Sequence, residues 1–113
     1  MTVSFNGFNE KAVTFLCGDG VEAGGTVVVS DNGTVSAAEE GDILCGVVSA
    51  VDGDCASVQL TGYVRLPYSS TAPEAGYNTL SCDGNGGVCV DEDGKSYLVI
   101  DVDTTDTTVG FIL

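Results

Sequence analysis

The stretch Glu22-Ala23-Gly24 and its later counterpart Glu74-Ala75-Gly76 begin two copies of one pattern. The copies lie 52 residues apart, which also aligns Asp31 with Asp83, and one extra residue near the turn then makes the offset 53. The pairs matched at the second offset are Gly33 and Gly86, Val35 and Val88, Gly41 and Gly94, Val47 and Ile100, Val58 and Phe111, and Leu60 and Leu113. Such self-similarity predicts a duplicated unit, and two copies suit one closed or sandwiched domain better than a solenoid, which needs three or more.

Within each copy the pattern is typical of β-strands. Apolar residues alternate or form short β-branched runs that Gly, Asn and Asp interrupt. Asp31-Asn32-Gly33 separates two such runs and predicts a tight hairpin, because Asn and Gly tolerate a positive φ. We therefore predict an all-β fold, a single small antiparallel β-barrel or sandwich with an internal pseudo-twofold duplication. The predicted strands span residues 2–5, 12–17, 26–30, 34–37, 43–51, 55–60, 63–67, 78–82, 87–91, 96–102 and 108–113.

The length and the repeat together predict the domain organisation. At 113 residues, the chain is long enough for one ordinary hydrophobic core, so residues 1–113 are predicted to form a single all-β domain. Residues 1–20 would be an N-terminal arm or the first hairpin of the barrel. Residues 21–68 would form the first repeat and residues 74–113 the second.

The charge of the chain is strongly acidic. Three basic residues stand against 17 acidic ones, for a net charge of −14. This balance predicts no binding to nucleic acid and no binding to anionic membranes, and no apolar run reaches transmembrane length. Acidity favours solubility and discourages edge-to-edge pairing of sheets. The alternative is that an acidic face binds a basic protein surface or divalent cations.

The five cysteines do not form a recognisable framework. They show no CxxC spacing, and the chain has no His to complete a zinc site. The N-terminus lacks the basic and apolar regions of a signal peptide, which predicts reduced thiols in a protein made in a cytosol. Cys82 and Cys89 flank one turn, so a disulfide across that hairpin is the alternative.

No pattern in the chain indicates catalysis. The absence of His removes the commonest general base and the usual nucleophile pairs. The carboxylate pair Asp52 and Asp54 lies on a predicted hairpin tip, a poor place to hold two groups in fixed geometry. Asp83–Gly87 resembles the start of a calcium loop but lacks the closing Glu, so a turn is expected there. We predict no enzyme, no cofactor and no metal site, with calcium binding as an alternative.

One strand carries candidate interface residues. Tyr63 and Tyr68 lie on either side of Arg65, the only Arg of the chain. Tyr and Arg are the residue types that anchor protein interfaces, so all three are candidate interface residues. The alternative is that Tyr63 packs in the core while Arg65 lies on the outer face.

Four stretches resemble a known family. Ala23–Val29, Gly41–Val48, Ala72–Tyr77 and the closing Thr107–Leu113 strand are similar to the strands of small phage capsid decoration or capsid-stabilising proteins. The resemblance covers about Val21 to Leu113. It implies an all-β, non-catalytic virion protein that is made in the host bacterial cytoplasm, binds the major capsid protein and stabilises the shell.

The resemblance also implies an assembly. Proteins of this family commonly bind the capsid surface as trimers. The resemblance therefore implies a homo-oligomer, with a trimer as the expected state. The N-terminal arm, with Phe5 and Phe8, would contact the capsid or a neighbouring subunit; the alternative is that it only completes the barrel. The second functional hypothesis is a carbohydrate- or host-surface-binding module of a phage tail or fibre.

Overall fold

The computed structural model describes residues 11–113, and this part of the chain holds ten β-strands and no helix. Each strand overlaps a predicted one, while the prediction for residues 2–5 lies outside the described residues. None of the described residues belongs to a helix long and apolar enough to cross a membrane. The strands are β1 (Lys11–Cys17), β2 (Thr26–Asp31), β3 (Thr34–Ala37), β4 (Gly46–Asp52), β5 (Cys55–Thr61), β6 (Tyr63–Ser69), β7 (Gly76–Cys82), β8 (Val88–Val90), β9 (Lys95–Asp103) and β10 (Thr108–Ile112).

The strands form two closed barrels of identical topology. The first has the order β1-β3-β2-β4-β5 and closes through the pairing of β1 with β5. The second has the order β6-β8-β7-β9-β10 and closes through the pairing of β10 with β6. Each contains one parallel pair, β1–β3 or β6–β8, and its other pairs are antiparallel. The prediction of an all-β barrel fold with an internal pseudo-twofold duplication is confirmed, and each repeat closes a barrel of its own.

The pairing of β6 locates the boundary between the repeats. This strand pairs with β10 and β8, so it is the first strand of the second barrel, as β1 is of the first. The structural repeats therefore run over residues 11–61 and 63–112, whereas the sequence pattern divided the chain after residue 68. The difference arises because β1 and β6 share no motif that a comparison of the two halves could align.

The pairing of the strands confirms one of the residue pairs that were matched between the two sequence repeats and corrects another. Val58 and Phe111 occupy equivalent places, and both are 0% exposed. Opposite them lie Val48 and Val99, at 1% and 2% exposure. The prediction that Val47 matches Ile100 is therefore wrong in register. The offset in this strand is 51 rather than 53, because eight residues lie between Val90 and Val99, whereas ten lie between the equivalent Ala37 and Val48.

The segment that joins β3 to β4 crosses from the first barrel to the second. We call residues 38–45 the crossing segment. Its Ala38 and Leu44 are buried in the core of the second barrel, beside Leu80 and Cys82. Full burial of a leucine side chain contributes about 1.5–3 kcal/mol. The two barrels are therefore held together by apolar packing as well as by the chain that connects them.

Candidate functional site

The outer face of the second barrel carries the predicted residues Tyr63 and Arg65. Strand β6 alternates between the two sides of the sheet, so Val64 and Leu66 are buried at 5% and 2% exposure while Arg65 points outward. The structure thus places Arg65 on the outer face, as both alternatives require, while Tyr63 is not part of the core cluster of this barrel. A contact between Arg65 and a partner stays a prediction.

Arg65 binds a carboxylate two strands away. Its two terminal nitrogens donate to the two oxygens of Asp101 on β9, at 2.9 and 3.0 Å. The Tyr63 hydroxyl donates to the same carboxylate at 3.3 Å. Burial raises the pKa of Tyr63, and the negative charge of Asp101 raises it further. We call Tyr63, Arg65 and Asp101 the outer cluster.

Gly110 makes the outer cluster possible. It lies on β10, between β6 and β9, and pairs with Arg65 on one side and with Asp101 on the other. A Cβ atom at Gly110 would collide with the Tyr63 hydroxyl and the Asp101 carboxylate. The missing side chain leaves room for Arg65 to reach Asp101 over the intervening strand. Sequence reasoning missed both Asp101 and Gly110, because only the strand order brings them beside Arg65.

Tyr68, the third predicted interface residue of β6, does not join this cluster. Tyr68 is half-buried and packs against the core of the second barrel, and its amide donates to the carbonyl of Thr107 at 3.0 Å. Phe5 and Phe8 lie outside the described residues, so their assignment to an interface stays a prediction.

A second surface feature is an acidic groove between the two barrels. It consists of two adjoining cavities of about 300 and 570 Å³ that share Gly20, residues 37–38 and residues 84–85. We call it the seam groove. The carboxylate residues along it are Asp19, Glu22, Glu39, Glu40 and Asp83. None of the described residues that line it is Lys or Arg, so this part of the groove carries a locally negative potential that favours basic groups of a partner.

One wall of the seam groove is ordered by Asp83. Burial alone would raise the pKa of this carboxyl, but hydrogen bonds from the Ser69 hydroxyl (2.6 Å) and from the amides of Asn85 (2.7 Å) and Gly87 (3.0 Å) hold it below its usual value. The Asp83–Gly87 loop, considered from the sequence as a calcium loop, uses its Asp as a turn-forming acceptor.

The other acidic turns are built in the same way. Asp91 accepts from the Ser81 hydroxyl and the Asp93 amide, at 2.7 and 2.9 Å, and these hydrogen bonds lower its pKa. Asp103 accepts from the amides of Thr105 and Asp106. Over residues 11–113, no group of three or more His, Cys, Asp or Glu side chains is arranged to hold a metal ion.

The five cysteines are free thiols. The disulfide considered between Cys82 and Cys89 does not form. Cys82 points into the core, and burial raises its pKa to about 11. Cys89 lies 3.7 Å from the Ser81 hydroxyl instead.

Several exposed apolar side chains were not singled out from the sequence. Tyr77 at the start of β7 is 77% exposed, Val29 on β2 is 56% exposed and Leu16 on β1 is 53% exposed. Val29 and Leu16 lie in runs with ordinary strand periodicity and cannot be distinguished from core residues in the sequence, whereas Tyr77 precedes the strand predicted for residues 78–82.

Comparison with known proteins adds no assignment: neither a protein-family model nor a curated protein matches this chain.

Proposed function

We propose that this chain is a non-catalytic virion structural protein that binds a phage capsid from outside and stabilises it, with the major capsid protein as its partner. The observation that carries the proposal is the placement of its polar groups. The outer cluster lies on barrel strands and the seam groove is framed by two barrels, so both present fixed geometry for surface contact.

The charge of the chain supports a protein partner with a basic surface. Asp19, Glu22, Glu39 and Glu40 line the seam groove, and the part of the chain that the structure describes contributes no Lys or Arg to it. An acidic surface of this kind raises the association rate with a positively charged partner and excludes acidic ones.

The proposed setting is the capsid surface of the virion, after synthesis in the host bacterial cytoplasm. A decoration protein attaches in many copies, so weak single contacts add up to high avidity when copies are linked to one another. A closed homo-oligomer, with a trimer as the expected state, would provide this linkage.

The test is to purify particles of the phage that encodes the chain on a density gradient and to quantify it by mass spectrometry against the major capsid protein. Amounts of the same order as the shell protein in intact heads are expected. A few copies per particle would favour a tail component, and absence from washed particles would refute the virion role.

Tyr77 favours the second candidate, a carbohydrate- or host-surface-binding module of a tail or fibre. Its ring is 77% exposed, and exposed aromatic faces are the groups on which sugar rings stack. Titration of host cell-wall glycan into the ¹⁵N-labelled protein would test it. Shifts centred on residues 76–78 that Tyr77→Ala abolishes would support this candidate, and an unchanged spectrum would reject it.

A further inference from the structure

The two barrels present the same strand edge twice, at Val29 on β2 and at Cys82 on β7. Val29 pairs with Val35 and Cys82 pairs with Val88. Val35 and Val88 are both 0% exposed, so the two ladders are in equivalent register against equivalent core residues.

At Cys82 this edge is occupied. The Cys82 amide donates to the carbonyl of Asp42 at 2.8 Å, and the Gly41 amide donates to the carbonyl of Cys82 at 2.9 Å. The crossing segment thus adds a short antiparallel partner to β7 beyond the end of β9. It also places Leu44 over the barrel core, and Cys82 is 0% exposed as a result.

At Val29 the equivalent edge has no partner among residues 11–113. The last contact of β2 on this side is the Cys45 amide, which donates to the carbonyl of Val27 at 2.9 Å. Successive residues of a strand direct their amides to opposite sides, so Val29 directs its N–H and C=O to the same side as Val27. Within residues 11–113 no segment pairs with Val29 there, and its side chain is 56% exposed.

We propose that the open edge of β2 at Val29 is a strand-addition site for an extended segment of a basic partner polypeptide, which binds as Gly41 and Asp42 bind β7. An unpaired strand edge beside an exposed apolar side chain is the surface that peptides extend by main-chain hydrogen bonding. A polypeptide supplies both the amide groups for the edge and a side chain to cover the barrel core, as Leu44 does in the second barrel.

Charge decides between a basic partner and a second copy of this chain. Asp31 lies two residues from Val29 on the same strand and is exposed. Two copies that paired through this edge would bring two Asp31 carboxylates into one sheet, and β2 itself has no Lys or Arg to offset them. Like charges across an edge pairing oppose association, so a segment rich in Lys or Arg is the occupant that fits. The inference does not depend on which assembly supplies the partner.

The crossing segment provides the probe. We would use a fluorescein-labelled peptide of residues 37–46 that carries Glu39→Lys, Glu40→Lys, Asp42→Lys and Cys45→Ser, with the acidic parent peptide, changed only by Cys45→Ser, as its matched control. Binding to the full chain is measured by fluorescence anisotropy at low salt and mapped by ¹⁵N NMR. We expect the basic peptide to bind at least tenfold more tightly than the acidic one, with shifts centred on residues 28–31.

Variants of the protein complete the test. Val29→Lys should weaken binding at least tenfold, while Val90→Lys, the same charge change at a valine that is 41% exposed, should change it less than twofold. Val29→Pro removes the N–H that points to the open edge and should also abolish binding. Should this proline variant not fold, Val29→Lys decides alone.

Four outcomes would overturn the proposal. The first is no binding of the basic peptide up to a concentration of about 1 mM. The second is equal binding of both peptides, and the third is a map centred on the seam groove instead of β2. The fourth is concentration-dependent dimerisation in sedimentation that Val29→Lys abolishes, which would assign the edge to a second copy of the chain.

Discussion

The Arg65 guanidinium binds both carboxylate oxygens of Asp101 across Gly110, at 2.9 and 3.0 Å. The equivalent row of the first barrel holds Thr14, Ser57 and Ala50, which cannot form an ion pair. Two barrels of the same topology thus present different outer faces, and the charged one contains the only Arg of the chain. A duplicated fold gains a distinct surface in this way without any change to its core.

Replacement of Gly110 by Ala should destabilise the protein. A Cβ atom there would collide with the Tyr63 hydroxyl and the Asp101 carboxylate, so the outer cluster must move. Because the atoms in the way are the ends of two side chains on the outer face, we expect a loss of only about 0.2–1 kcal/mol in the free energy of unfolding, which is the contribution of an exposed ion pair that has to move. Urea unfolding measures it, with Ser57→Ala at the equivalent place of the first barrel as the control. Equal stabilities of wild type and Gly110→Ala would show that the cluster adapts freely.

Replacement of Arg65 by Ala should distinguish the contribution of this side chain to protein stability from its contribution to capsid attachment. The side chains of Arg65 and Asp101 are 36% and 56% exposed, so solvent screens their ion pair, and we expect a loss of only about 0.2–1 kcal/mol. If Arg65 contacts the capsid, the same variant should reduce co-sedimentation with purified heads at least tenfold. Lys11→Ala serves as a charge-matched control. Unchanged co-sedimentation would limit Arg65 to a structural role.

The Asp83 carboxyl should contribute to acid sensitivity. Its pKa is lower in the folded protein than its ordinary 3.8, because Ser69 and two amides donate to its charged form. A depressed pKa gives stability that is complete above the ordinary value and is lost as the pH falls through the folded value. Melting temperatures between pH 2 and 6 should therefore fall less steeply for Asp83→Asn than for wild type. Parallel curves would contradict this contribution.

Much of the fold was predictable because its signals are local. Hairpin turns such as Asp31-Asn32-Gly33 and alternating strands such as β6 follow from backbone and burial preferences of neighbouring residues. Because the same local signals recur in both halves of the sequence, they also predicted the pseudo-twofold symmetry. The alternation of residues along β6 also indicated an outer-face position for Arg65, as both interpretations of this strand require.

The remaining features depend on contacts between distant parts of the chain. Leu44 lies in a run that predicted a strand from residue 43, yet it leaves that strand to enter the core of the other barrel. Asp101 becomes the partner of Arg65 only through the order of β6, β10 and β9. Val29 and Cys82 match in the repeat, and only the path of the crossing segment makes one exposed and the other buried.

The crossing segment should stabilise the second barrel rather than the one to which it belongs in sequence. Leu44 is 5% exposed and packs in the cluster that contains Phe111 and Leu80, so Leu44→Ala should cost about 2–5 kcal/mol. Native-state hydrogen exchange should show faster exchange first at Cys82 and its neighbours, while Val35 and Val58 of the first barrel keep their protection. Ile43→Ala, at an adjacent residue that is 39% exposed, is the matched control and should leave exchange nearly unchanged. Uniformly faster exchange in both barrels would instead indicate that they unfold as one cooperative unit, in which the segment stabilises the whole molecule.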